Sequence, residues 1–301
     1  MDKTKHVDWI AVDWGTSFLR VNAIDRFGKI IAQKKSDQGM GVLEPSGYEA
    51  ALLDLISPWL RAGTTLNVMC CGMVGARQGW QETAYRTVPC TPTKPDELMH
   101  IPTDDRRIYV RVAPGIQQFS PADVMRGEET QIAGYLGDNQ NFDGIICLPG
   151  THSKWAKISS RQIISFHSCM TGEVFSLLAT QSVLRHSVAP DGWSSEDFAR
   201  GVQLARDDPA KICTKLFGVR AEQLLNDLPA VSARAYLSGM LIGQEIMALR
   251  DYWNGQPIVV IGAGDLADRY RSAFELLGVC VELVDVTAAT LAGLSQHNKG
   301  E

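Results

Sequence analysis

Several signatures are missing from this 301-residue chain, and each absence removes a class of function. There is no G-x-x-x-x-G-K-[ST]; the single Gly-Lys pair, Gly28-Lys29, runs into Ile30, so a P-loop is excluded. Protein-kinase signatures and the G-x-S-x-G nucleophile elbow are also absent. No apolar run approaches the roughly 20 residues that cross a bilayer, and the opening MDKTKHVDW has no apolar signal-like core. There is no basic excess: the formal net charge is -5, which argues against a nucleic-acid or anionic-membrane surface. The seven cysteines include no C-x-x-C and are odd in number, which speaks against a disulfide framework and for a reducing, cytoplasmic setting. No second His or Cys stands at zinc-ligand spacing beside His152.

What is present is a large core and a repeated pattern. Hydrophobic residues make up 45% of the chain, and its length suits two domains. Apolar, β-branched runs predict strands at 10–13, 19–24, 29–34, 66–71 and 108–112, with a helix from Ser46 to about Leu60 opened by a Ser46/Glu49 capping box. Residues 81–107, with four prolines, read as an irregular insertion, and Asp123 as the cap of a helix running to about Leu136. The polar stretch 138–144 is the expected boundary between domains 1–142 and 143–301. Beyond it come strands at 145–148, 156–158 and 163–167, then helices to Trp253. A strand, helix, strand and helix follow, the last helix covering 286–296 and expected to pack back on the N-terminal domain. Gly239 and Gly243, four apart in a long helix, read as close helix packing.

Two hydroxyl-bearing Gly-Thr turns follow apolar strands, at Asp13–Ser17 and at Pro149–Ser153. Backbone amides and hydroxyls of Gly15, Thr16 and Ser17 are the right groups to cradle phosphate oxygens, with Asp13 beside them to manage Mg²⁺. The same turn also fits a plain hairpin whose Asp bonds its own amides. Gly150, Thr151, His152, Ser153 and Lys154 read either as a second phosphate loop or as a hairpin tip. Arg20 serves phosphate or a substrate carboxylate, or is a surface charge on a strand. Glu128 and Glu129 open a helix, where carboxylates are favoured by the helix dipole; one of them, about 100° from the other, is also placed to orient and deprotonate a hydroxyl, with Asp13 a rival for that role. Thr171 bonds a substrate hydroxyl or caps the helix that starts there. The turn Gly262-Ala263-Gly264 fits a bound adenosine or a dinucleotide fingerprint with Asp285 as the ribose acid. Only 16 residues follow Asp285, too few for further βαβ units, which disfavours NAD.

The turn D-x-G-[ST]-[ST]-x-x-R resembles the first phosphate motif of the sugar kinase, Hsp70 and actin superfamily. The ordered set DWGTSFLR (13–20), CGMVGARQGW (71–80), VMRGEETQIAG (124–134), LPGTHSKW (148–155), MTGE (170–173), LSGMLIGQEI (237–246) and IGAG (261–264) resembles the 2-dehydro-3-deoxygalactonokinases over essentially the whole chain. That resemblance implies an α/β protein of two ribonuclease-H-like lobes closing on ATP and a sugar acid, with nucleotide on the C-terminal side. It implies Mg²⁺-ATP as phosphoryl donor and the 6-hydroxyl of 2-dehydro-3-deoxy-D-galactonate as acceptor. It assigns Glu129 as base, with Asp13 and Glu128 beside it, and the two Gly-Thr turns with Gly262 and Gly264 as nucleotide ligands. Arg20, Gly72, Met73, Gly75, Arg126 and Thr171 are expected near the sugar acid, on a cytoplasmic protein; the apolar helix 235–253 faces either a core or the twin subunit of a homodimer, and the sequence leaves both open. An exopolyphosphatase-type phosphohydrolase and a non-catalytic nucleotide or sugar binder on the same fold remain as alternatives.

Overall fold

The computed structural model describes residues 6–298 and divides the chain into two compact units. Unit 1 holds residues up to Phe142, the segment Ile158–Ser165, and the chain from Val286 onward; unit 2 holds Asp143–Lys157 and Phe166–Asp285. In unit 1 the strands are β1 (Trp9–Trp14), β2 (Leu19–Ile24), β3 (Ile30–Ser36), β4 (Leu66–Gly72), β5 (Tyr85–Thr87), β6 (Met99–Ile101), β7 (Ile108–Val112), β8 (Gly115–Phe119) and β9 (Ala122–Met125). Its helices are α1 (Tyr48–Ile56) and α2 (Glu128–Asp138), joined at the chain's end by α9 (Val286–Asn298). Unit 2 carries β10 (Gly144–Leu148), β13 (Ile258–Gly262), β14 (Glu282–Asp285) and the larger part of the hairpin β11 (Ser153–Ser159) and β12 (Gln162–Cys169), whose tip Ile158–Ser165 counts with unit 1. Its helices are α3 (Thr171–Thr180), α4 (Ser195–Asp207), α5 (Ile212–Asn226), α6 (Ala230–Ala248), α7 (Arg250–Trp253) and α8 (Gly264–Leu276).

The main sheet of unit 1 runs β3-β2-β1-β4-β7-β6, and that of unit 2 runs β12-β11-β10-β13-β14. Each therefore places its first strand at the centre, the next two on one side and later strands on the other. β1 pairs antiparallel with β2 and parallel with β4, and β10 pairs parallel with β13. In this mixed α/β topology the first strand is buried on both faces, so β1 and β10 are near-continuous apolar runs rather than alternating ones. The core of unit 1 gathers Ile10, Val12, Trp14, Tyr48 and Leu52; that of unit 2 gathers Ile145, Trp155, Val260, Tyr270 and Phe274.

Local corrections have physical causes. Residues 81–107 contribute β5 and β6 rather than only irregular chain, β6 extending the main sheet beside β7. Asp123 lies in β9, not at a helix start: Gly115-Ile-Gln-Gln-Phe, a Ser-Pro turn and Ala-Asp-Val-Met alternate as a hairpin, and α2 begins only at Glu128. Ser46 does not cap α1, whose N-cap is Gly47 without a side-chain bond. Glu49 instead accepts the amides of Asp104 (3.0 Å) and Asp105 (2.8 Å), tying down the turn that leads into β7.

Helix packing is set by missing side chains. A Cβ on Gly239 would stand 2.1 Å from Phe198 O, and one on Gly201 2.4 Å from Tyr236 O, so α4 and α6 meet backbone to backbone. In unit 1, a Cβ on Gly293 of α9 would stand 1.9 Å from Thr130 O, and one on Gly134 1.8 Å from Ala289 O. α9 is thereby clamped onto α2. No helix among the described residues is long and apolar enough to cross a membrane, and all seven cysteines are free.

Candidate functional site

In unit 1, β1 ends in Asp13 and passes into the exposed turn Gly15-Thr16-Ser17, closed by the amide of Gly15 donating to Phe18 O at 2.9 Å. A second segment braces this turn: Met40 N donates to Gly15 O (3.0 Å), Gly41 N to Thr16 O (2.8 Å), and Trp14 Nε1 to Gln38 O (2.9 Å). A Cβ at Gly39 would stand 2.3 Å from Thr16 O, so glycine is required for that approach. Arg20 crosses to Asp13, Nη1 to Oδ2 at 2.8 Å, on the antiparallel pair that sets the two residues opposite each other. Burial raises the Asp13 carboxyl above its ordinary range while the Arg20 guanidinium opposes the rise.

The parallel neighbour β4 ends beside the same strand end. Gly72 adopts φ +92°, and a Cβ there would lie 2.7 Å from Trp14 O and 3.6 Å from Asp13 Oδ1. Gly127, at φ +109°, brings the start of α2 against Gly72, its Cβ position 3.2 Å from Gly72 Cα. Glu129 is thus brought to the Asp13 end of the sheet, and the buried Cys71 thiol feels both carboxylates. Glu129 is 1% exposed; its Oε2 accepts Gly127 N at 2.6 Å and its Oε1 accepts the Thr130 hydroxyl at 3.1 Å. Burial, with Glu128 adding repulsion, pushes its pKa up to about 7. Glu128 is half-buried, and its Oε2 accepts Arg126 N at 3.0 Å. The turn Met73–Gly75 follows β4, and Gly75 leaves room for Arg126 Nη1, 2.9 Å from its Cβ position. Arg126 is buried, donates to the Thr83 hydroxyl and carbonyl, and lies 4.3 Å from the centre of the Tyr85 ring; its Nε has no partner.

In unit 2, β10 leads through Pro149 and Gly150 into Thr151 and His152, both exposed. The start of α3 is seated on this loop: Glu173 N donates to Thr151 O (3.0 Å), and Gly172, whose Cβ would stand 2.4 Å from Gly150 O, permits the contact. His152 Nε2 meets Glu173 Oε2 at 2.5 Å. Ser153 and Lys154 are interior: Ser153 bonds Cys169 O, and Lys154 Nζ donates to Ser168 Oγ at 2.5 Å. Thr171 bonds the buried carboxylate of Glu245. Gly262 closes β13 against Ala267, and Gly264, at φ +58° with open space about its Cβ position, starts α8. A small cavity of about 50 Å³ touches Gly150, Thr171, Gly172 and Leu266, and a larger one of about 590 Å³ is walled by Trp193, Phe198, Asp265 and Ser272. Arg269 lines both and lies 4.0 Å from the Trp193 ring centre.

Unit 1 therefore brings together Asp13, Gly72, Gly127 and Glu129, with Arg126 beneath the Met73–Gly75 turn. Unit 2 brings together Gly150, Thr151 and Thr171, with Leu266 two residues beyond Gly264. Sequence reasoning passed over Gly39 and Gly41, whose only signal was a closely spaced glycine pair. It also passed over Glu245, Trp193 and Arg269, which look like ordinary helix or loop residues until packing assembles them.

The family model described as DGOK, 2-keto-3-deoxy-galactonokinase, matches residues 13–297. A Rhizobium meliloti protein named a probable 2-dehydro-3-deoxygalactonokinase is 39% identical over 294 residues, covering 95% of both chains. The 2-dehydro-3-deoxygalactonokinase of Escherichia coli is 32% identical over 289 residues, covering 95% of this chain and 96% of its own. A crystal structure of a candidate 2-dehydro-3-deoxygalactonokinase from Sinorhizobium meliloti superposes with a TM-score of 0.89 at 37% identity, covering 97% of this chain and 98% of that one. At 12% identity, the activator of a 2-hydroxyisocaproyl-CoA dehydratase from Clostridium difficile shares the fold with a TM-score of 0.53, covering 97% of this chain and 94% of its own.

Proposed function

The chain belongs to the 2-keto-3-deoxy-galactonokinase family and is an ATP-dependent kinase of that family, and we propose that it transfers the γ-phosphate of ATP to the 6-hydroxyl of 2-dehydro-3-deoxy-D-galactonate. The observation that carries the residue assignment is the convergence of Asp13, Gly72 and Glu129 at one end of the unit 1 sheet. A primary alcohol attacks poorly unless it is oriented and its proton has somewhere to go. Glu129, with its pKa near 7, accepts that proton at neutral pH, while the Gly127 amide and the Thr130 hydroxyl hold its two oxygens in place. Arg126, a buried guanidinium with an unpartnered Nε, serves the sugar acid's carboxylate, and the Gly72–Gly75 turn frames the same molecule.

Unit 2 takes the nucleotide. Gly150 and Thr151 supply donors to the phosphates, and Lys154 lends positive charge from beneath the loop. The Gly262–Gly264 turn receives the adenosine beside the cavity that Arg269 and Trp193 share. Thr16 and Ser17 give unit 1 a hydroxyl-bearing turn of its own suited to phosphate oxygens. Mg²⁺ keeps several waters and takes one or two protein carboxylates together with phosphate oxygens, so Asp13, placed at the exposed turn, suits it as ligand. When bound, the ion offsets the charge that builds on the leaving diphosphate.

The protein works in the cytoplasm as a homodimer. A second copy covers α5, where Phe217 and Leu225 are 65% and 80% exposed and Gly218 has open space at its Cβ position. Lys215 and Glu222 lie seven residues apart on one side of that helix, so an antiparallel α5 pair sets each against its opposite.

The test is ATP consumption with and without a panel of 2-keto-3-deoxy sugar acids, with the product analysed for a 6-phosphate. Consumption dependent on the deoxygalactonate is expected. Phosphate release without any acceptor indicates a hydrolase and rejects the reading, as does ATP binding without turnover on any member of the panel.

A further inference from the structure

Glu245 takes no part in the reaction above, yet it is a buried carboxylate on which donors from several elements of unit 2 converge. It lies in α6, is 4% exposed, and has no cationic partner. Its Oε1 accepts the indole Nε1–H of Trp155 at 2.7 Å, and its Oε2 accepts the Tyr270 hydroxyl at 2.8 Å. The hydroxyls of Ser153 and Thr171 bond the same carboxylate. A carboxylate offers about four lone-pair sites, and four donors fill them. Burying an ionised carboxylate without a counter-ion costs several kcal/mol, so such a group persists only when its hydrogen bonds are complete.

The four donors come from three elements that share one task. Ser153 and Trp155 begin β11 directly after the Gly150–Thr151 loop, Thr171 begins α3, which is seated on that loop, and Tyr270 lies on α8 behind the Gly262–Gly264 turn. α6 itself is anchored by backbone contact with α4 through Gly239 and Gly243, so the carboxylate projects from a fixed platform. Building on the nucleotide assignment to unit 2, we propose that Glu245 is a positioning residue for ATP, holding the phosphate loop, the start of α3 and the adenosine-side helix in register through one buried acceptor. The Thr171 hydroxyl has its proton engaged by Glu245, and the single Ser153 proton is taken up between Glu245 and Cys169 O, so neither hydroxyl has a proton left for phosphate. Direct donation to phosphate therefore falls to the Gly150–Thr151 loop rather than to these two hydroxyls.

Glu245→Gln tests this, since it keeps the shape but replaces one acceptor oxygen with a donor. The Trp155 indole can only donate, so the amide must turn its oxygen there and force the Tyr270 hydroxyl to reverse. The expected result is a rise of about tenfold in KM for ATP and in the ATP dissociation constant measured by calorimetry without acceptor, with KM for the sugar acid within about twofold of the parent. Tyr270→Phe, which removes a single donor, gives a smaller change in the same direction, and it decides the matter if Glu245→Gln does not fold. Unchanged ATP affinity in a folded variant overturns the proposal. So does an equal rise in both KM values, and so does a lowered melting temperature with normal ATP affinity, which would make Glu245 a core residue only. A parent protein that binds no ATP overturns it too. A parent protein that binds ATP but does not phosphorylate the sugar acid defeats the substrate assignment alone, because the calorimetric comparison still reads Glu245.

Discussion

Glu129→Gln sets stability against turnover in opposite directions. In the folded protein the carboxyl has a pKa of about 7, raised chiefly by burial, against 4.5 for the same group exposed in the unfolded chain. The unfolded state therefore releases its proton first. Folding stability is unaffected below about pH 4.5, falls as pH rises from there through 7, and levels off above. At pH 8 the difference amounts to about 3 kcal/mol, from 1.36 kcal/mol per pKa unit over some 2.5 units; at pH 5 it is under about 1 kcal/mol. Glutamine removes the titration while its amide oxygen still accepts the Gly127 N–H and the Thr130 hydroxyl can rotate to accept from its NH₂. The variant should gain on the order of 6–12 °C in the melting temperature of unit 1 at pH 8 but only about 2–3 °C at pH 5. Turnover should fall by about 10² or more, because the proton acceptor is gone. Scanning calorimetry at the two pH values, paired with an ADP-release assay, reads both quantities. A melting gain equal at both pH values would show that burial does not strain the carboxylate. Unchanged turnover would transfer the proton to Glu128 or Asp13.

Other expectations follow from buried or exposed groups. His297 on α9 is buried with both ring nitrogens unpartnered, and burial, with Arg111 and Arg86 nearby, lowers its pKa to about 4. Its folded pKa lies below the unfolded value of 6.5, so stability drops as pH falls from about 6.5 through 4. His297→Leu should move the acid-unfolding midpoint downward and change little at pH 7; a midpoint that stays put or rises counts against a strained neutral imidazole. For the α5 face, sedimentation velocity should show a dimer for the parent chain and a monomer for Phe217→Glu. Lys215→Glu should weaken association, and adding Glu222→Lys should restore it; no rescue by the double exchange would place the interface elsewhere.

Sequence periodicity and spacing were enough for the central elements. The apolar runs of β1, β4, β10 and β13, and the Gly-Thr turns after β1 and β10, are local patterns: a strand buried on both faces needs continuous hydrophobicity, and a tight turn after it needs small residues. The motif order also named the family. The short edge elements were not legible. β5 and β6 exist because β8 and β7 lie beside them, and three-residue strands rich in Pro and polar neighbours carry almost no signal of their own. Glu49 had the spacing of a capping box but was drawn off by two amides 55 and 56 residues away.

The residues of the candidate site divide in the same way. Asp13, Thr16, Gly150 and the Glu128-Glu129 pair announce themselves because their chemistry is written in short motifs. Which glutamate is buried, that Ser153 and Lys154 turn inward, that Arg126 lies beneath Gly75 with its Nε unpartnered, and that Glu245 gathers four donors were decided by packing alone. Most depend on partners distant in the chain, and where a glycine permits the approach, as at Gly72 and Gly75, one sequence records the glycine but not what comes to rest against it.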